Sequence, residues 1–83
     1  MNEPVINVIV REKKAVVFNG PANRISSVNE KGPFDIYPYH ANFVAVISQQ
    51  IELQTADNKI RQFPIPRGIL HVKENRVEVY IGI

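Results

Sequence analysis

The chain has 83 residues, enough for a single domain over residues 1–83, with a thin core because so short a chain buries only roughly 60–65% of its unfolded surface. Hydrophobic residues make up 45% and charged residues 22%, and a net charge of +2 is too small for the dense basic stripe of a dedicated nucleic-acid binder. With no cysteine, the sequence excludes a disulfide framework, a thiolate nucleophile and any cysteine-based zinc site, and it suits a reducing compartment.

Taken in order, the elements read as short strands. Val5 to Arg11 is rich in β-branched residues and follows Pro4, which suits a strand's first position. Glu12-Lys13-Lys14 is a charged turn, and Ala15 to Phe18 returns as a second strand. Asn19-Gly20-Pro21 is expected to break the pairing, since Asn-Gly favours positive φ and proline lacks a donor. Asn23 to Val28 then alternates as a half-polar third strand. Glu30-Lys31-Gly32-Pro33 forms the next corner and leads into Phe34-Asp35-Ile36-Tyr37-Pro38-Tyr39-His40, where Pro33 and Pro38 forbid a regular helix and disfavour a central strand.

Phe43 to Ile47 is continuously apolar and reads as a strand buried on both faces. Ile51 to Thr55 alternates with Ile51 and Leu53 inward. Asp57-Asn58 signals a turn, and Lys59 to Ile65 alternates again with Ile60, Phe63 and Ile65 as its apolar members. Pro64 and Pro66 mark the end of that strand as an edge. Gly68 to Val72 pairs through Glu74-Asn75 with Arg76 to Ile83 in the clearest hairpin of the chain. No window carries a helical stripe with capping signals. Eight or nine short strands at regular spacing point to an all-β sandwich or barrel.

The chemistry-bearing residues are sparse. No GxSxG occurs, and Ser26, Ser27 and Ser48 lie in or beside strand patterns. His71 lies between Leu70 and Val72 and so points to the face opposite them. For His40, a hydrogen-bonded pair with Asp35 that fixes the loop is favoured over a catalytic dyad, because no nucleophile stands near. Two separated histidines and scattered carboxylates give no metal-ligand spacing, and the isolated glycines make no phosphate loop. Phe34, Tyr37 or Tyr39 could stack bases beside Arg24 and Lys31, but the favoured reading has those rings covering the thin core. The stiff stretch Gly32 to Ile47 is left as a binding surface, with no catalytic residue, cofactor or metal assigned. No nucleic-acid partner is expected.

The runs FNG (Phe18–Gly20), KGPFDIYPYHANFVAVI (Lys31–Ile47) and RGILHVKENRVEVYIGI (Arg67–Ile83) resemble the N-terminal domain of the epsilon subunit of F-type ATP synthases. That family carries F-x-G, then G-x-x-G-I-[LY]-P-G-H-A-P-L-L, then G-G-[FI]-L-E-V-x-x-N-x-V-T-V-L. The hairpin matches in residue type at Gly68, Leu70, Val72, Asn75, Val77 and Val79. The resemblance implies an all-β fold: a flattened sandwich of two antiparallel sheets with about 8–10 short strands. It implies a non-catalytic rotor subunit of the central stalk, coupling the gamma subunit to the ring of membrane subunits of a proton- or sodium-translocating enzyme. It also implies a place in a peripheral complex on the cytoplasmic face of the cell membrane, reaching the membrane only through partners.

Carried over by position, Lys31, Gly32, Pro33 and His40 become candidate contacts to the ring, and Tyr39 joins them. Asp35 and Tyr39 stand where the family has glycines, Asn42 replaces the proline of H-A-P, and Pro66-Arg67 replaces a small residue and a glycine. The sequence ends at Ile83, before the family's C-terminal helical hairpin, so a short or divergent form is expected. The alternative is an independent β-sandwich binding module that keeps the fold without the stalk role.

Overall fold

The computed structural model describes residues 4–82. It contains six strands: β1 (Ile6–Glu12), β2 (Ala15–Asn29), β3 (Gly32–Ile36), β4 (Phe43–Thr55), β5 (Ile60–Lys73) and β6 (Arg76–Ile81). Their order is β1-β6-β5-β4-β2-β3, and β1 also pairs with β2, so the sheet closes on itself with β3 outside the ring. Every pairing is antiparallel except β1 with β6, which is parallel. No helix in the described residues is long and apolar enough to cross a membrane.

Three strands are long because each bends and passes from one layer to the other. β2 pairs with β1 up to Ala22 and with β4 from there on. β4 is bulged between Ile47 and Gln49, where Gln49 takes a φ of 71°. β5 pairs with β4 alone over Ile60–Ile65, then with both β4 and β6 over Gly68–Val72. Bends and bulges of this kind make the corners of sandwiches. The first sheet is therefore β3, the second half of β2, the second half of β4 and the first half of β5. The second is the first half of β4, the second half of β5, β6, β1 and the first half of β2. The molecule is flat, with extents of 38 × 26 × 20 Å.

These bends explain the difference between the short strands read in the sequence and the six continuous ones observed. Asn19-Gly20-Pro21 does not end a strand: Gly20 pairs with Val8 and Pro21 with Asn7. Pro21 is tolerated because the strand is leaving one layer there, and its carbonyl accepts from the Ala56 N–H at 3.3 Å. Pro64 sits where β5 has a partner on one side only, in line with the edge it was expected to mark.

The core is an alternating set of branched aliphatics, including Ile6, Val8 and Val10 from β1, Ile51 and Leu53 from β4, Leu70 and Val72 from β5, and Val77 and Val79 from β6. Phe18, Phe34, Phe43, Ala45 and Phe63 pack against it. Ser27 is buried with them, and its hydroxyl donates to the Gln50 carbonyl at 2.7 Å, so it carries no unmet hydrogen bond. Phe43–Ile47 is not buried on both faces. Val44 is 66% and Val46 51% exposed, because the first half of β4 lies at the rim of the second sheet with one face in solvent. Ile60 faces outward for the same period-2 reason, opposite in sense to Arg61 and Phe63.

Candidate functional site

The stretch between β3 and β4 is shaped by backbone geometry that few residues adopt readily. Tyr39 has a φ of 64°, the left-handed region that a side chain resists. Two braces hold it there. The Tyr39 N–H donates to Asn75 Oδ1 at 2.8 Å, and the His40 N–H closes a turn onto the Tyr37 carbonyl at 3.2 Å. Asn75 also donates through Nδ2 to the Val5 carbonyl at 2.8 Å, so the β5–β6 turn ties the loop to the start of β1. Glu74 and Asn75 both have positive φ, as a two-residue hairpin turn requires, and the Glu74 N–H donates to Asn42 Oδ1.

His40 lies half-buried with its ring edge-on to Phe43, centroids 5.8 Å apart, and Phe43 meets Phe34 in the same manner at 5.5 Å. Nδ1 of His40 is 2.7 Å from the Ala41 carbonyl, which assigns it as the donor nitrogen. The expected Asp35–His40 pair does not form. Asp35 sits on β3 opposite Ser26 and accepts from its hydroxyl, on the outer face of the first sheet. Tyr37 and Tyr39 are exposed and do not cover the core, whereas Phe34 does. His71 faces away from Leu70 and Val72, opposite Glu78.

The second candidate region is the β2–β3 turn. The Lys31 N–H donates to Asn29 Oδ1 at 2.8 Å, and Gly32 takes a φ of 115°, which glycine adopts without strain. Pro33 pairs with Val28 on the edge strand. Lys31–Pro33 and Tyr39–His40 therefore stand at opposite ends of β3, about 15 Å apart at the usual rise of a strand. They do not converge on one spot. Between them runs a groove of about 720 Å³, lined by residues 28–31, by β4 from Phe43 to Gln49, and by Pro66 and Arg67. Phe43 belongs to both places, touching His40 and lining the groove.

The outer face of the first sheet is a polar row. Arg24 donates to Glu52 Oε2 at 2.8 Å and to the Ser26 hydroxyl, Ser26 donates to Asp35, and Gln62 donates to Glu52 Oε1 at 2.6 Å. Gln62 and then Arg24 hold the Glu52 carboxyl below its ordinary pKa. The outer face of the second sheet is different. Val46, Ile69, Tyr80, Arg11 and Val16 follow one another across the register of five strands. Val16, Val46 and Tyr80 are exposed there. Tyr80 bonds Glu78, which lowers the carboxyl's pKa and raises the phenol's.

Sequence reading missed Asn75 as the brace, the exposure of Val44 and Val46, and the Arg24–Glu52 pair. The first had a signal in the Glu-Asn turn. The others depend on which strands become neighbours.

Residues 5–81 match the family model described as the β-sandwich domain of the ATP synthase delta/epsilon chain. An ATP synthase epsilon chain from Clostridium botulinum (strain Eklund 17B / Type B) is 35% identical over 65 residues, covering 77% of this chain and 48% of the relative. The chain thus spans about half the length of that relative. A chain in the structure of the Euglena gracilis mitochondrial ATP synthase superposes with a TM-score of 0.88 at 17% identity, over 98% of this chain and 52% of the other. A chain in the central stalk and c-ring structure of the Tetrahymena thermophila enzyme gives 0.79 at 15% identity, over 100% and 67%. At such identities the two structures speak for the fold.

Proposed function

The chain belongs to the ATP synthase delta/epsilon β-sandwich family, and we propose that it serves as a rotor subunit of the central stalk, joining the gamma subunit to the membrane ring. The observation that carries this reading is the family match over residues 5–81, almost the whole chain. In this role the domain is mechanical: it transmits torque by rigid packing, and the chemistry belongs to other subunits. Its place is a peripheral complex on the cytoplasmic membrane face, and the coupling ion is a proton or sodium.

Two features support the assignment. First, Tyr39 has a left-handed backbone at the family's glycine position, a conformation that glycine adopts readily. Asp35, the other replaced glycine, lies within the regular β3 pairing and is absorbed by Ser26. Neither departure favours a module that has lost the stalk role. Second, the row of Val46, Ile69, Tyr80 and Val16 with Arg11 among them on the second sheet offers area for gamma, while Lys31, Gly32, Pro33, Tyr39 and His40 are proposed to meet the ring along the length of β3.

The experiment is co-expression with gamma followed by size-exclusion chromatography. The expected result is co-elution in a stable complex. Separate elution beside a folded gamma subunit overturns the reading.

A further inference from the structure

Although the sheet closes on itself through strands that change layer, each layer of the sandwich has two rim segments, and three of the four are defended against pairing with another chain. β3 carries Pro33 and Asp35, and the first half of β5 carries Arg61 and Pro64. The first half of β2 is bulged opposite Val10/Arg11 and ends in Pro21. Proline, charge and bulges are the usual means of blunting a sheet edge. The fourth segment, Phe43-Val44-Ala45-Val46-Ile47, has none of them. It is apolar throughout, pairs in unbroken register with Val72–Gly68, and has no strand on its other side.

The two seams between the sheets differ in the same way. At the seam between β2 and β5, the Arg61 guanidinium lies over the Phe18 and Phe63 rings, 5.4 and 5.3 Å from their centroids, and covers it. At the opposite seam the groove of about 720 Å³ runs beside the undefended segment. Lys31 and Arg67 line it, and neither makes an ion pair among the described residues. Glu30 is the one carboxylate among its lining residues, so the groove is left net positive.

We propose that Phe43–Ile47 accepts an added β-strand: an extended, acidic segment of a partner protein pairs with this edge and sets carboxylates against Lys31 and Arg67. Main-chain hydrogen bonds supply the attachment. Alternate side chains of the added strand lie beside exposed Val44 and Val46 on one face, and towards Phe43 and Ala45 in the groove on the other. The charges choose this occupant over a second copy of the chain. Two copies pairing antiparallel about Ala45 would bring both sets of Lys31 and Arg67 to one seam, where like charges repel. The inference uses this chain's own edge and does not rest on the stalk reading; the gamma experiment and the peptide experiment below fail separately.

The test is an NMR titration of the full chain with an eight-residue capped peptide in which glutamate alternates with valine and threonine. The expected result is saturable shifts confined to the amides of 43–47 and to residues 28–31 and 67. Backbone N-methylation of the peptide's pairing edge weakens binding at least tenfold, and so does replacing its glutamates by lysines. A K31E/R67E variant is expected to reverse that charge preference. The proposal is overturned by equal binding of the N-methylated peptide, by no charge preference, or by no saturable shift at millimolar peptide. Concentration-dependent association of the chain alone through the same amides also overturns it, in favour of a second copy. Because the peptide controls act on the unaltered protein, the result does not depend on a variant that folds.

Discussion

The outer faces of the two sheets are built from the same strands and finish in opposite ways. On the first, Arg24, Ser26, Asp35, Glu52 and Gln62 satisfy one another across four strand segments. On the second, Val16, Val46 and Tyr80 stand exposed along one register row, with Ile69 among them. A polar face closed on itself needs no partner, whereas exposed Val16, Val46 and Tyr80 around Arg11 leave the second face open to one. The bends at Ala22, Gln49 and Pro66-Arg67 make the contrast possible, because they let β2, β4 and β5 contribute to both layers.

The largest effect is expected where the bends hold the layers together. A Cβ at Gly68 would stand 2.6 Å from the Tyr80 carbonyl, closer than side chains come to backbone. Gly68→Ala therefore costs about 1–3 kcal/mol in urea unfolding, as overpacking does, and disturbs both faces together. Next, Arg24→Ala leaves Glu52 and Ser26 short of a donor and costs about 1 kcal/mol, while gamma association stays unchanged. Tyr39→Gly works in the other direction. It removes the cost of a left-handed side chain at a residue 74% exposed, and raises stability by about 0.5–1 kcal/mol.

A smaller effect is expected in acid. The Glu52 carboxyl is held below its ordinary pKa by Gln62 and Arg24, so its contribution is present above the ordinary glutamate range and is lost as pH falls through the lowered value. Glu52→Gln should flatten the pH dependence of stability in that window, because it removes at neutral pH the contribution that acid removes from the unaltered chain. The smallest change in stability is expected for Val46→Lys, within about 0.5 kcal/mol because the side chain is half in solvent. It is nonetheless the variant expected to weaken gamma association most, by replacing an exposed apolar side chain with a second cation in the row that holds Arg11.

The sequence makes the sandwich legible wherever alternation is strict. Ile51 and Leu53 point inward as the pattern requires, and the β5–β6 hairpin pairs Lys73 with Arg76 across Glu74-Asn75. What alternation does not reveal is continuity. Asn19-Gly20-Pro21 looks like a turn, because the same residues serve a turn and a strand that changes layers. Nor does an all-apolar run reveal its exposed face, which is why Val44 and Val46 could not be told from Ala45 and Ile47. At the candidate site, the rigidity of the Tyr39 loop was legible from its prolines. Its brace was not, since Asn75 lies 36 residues away and reaches Tyr39 because β4 pairs with β5, Phe43 opposite Val72.

Hydrogen–deuterium exchange of the chain with and without gamma tests the central claim most directly. The account predicts that gamma slows exchange in peptides covering Phe43–Ile47 and Ile69–Tyr80 and leaves Ser26 and Asp35 unaffected. Protection confined to the Arg24–Glu52 face, or none in a mixture with folded gamma, would contradict it.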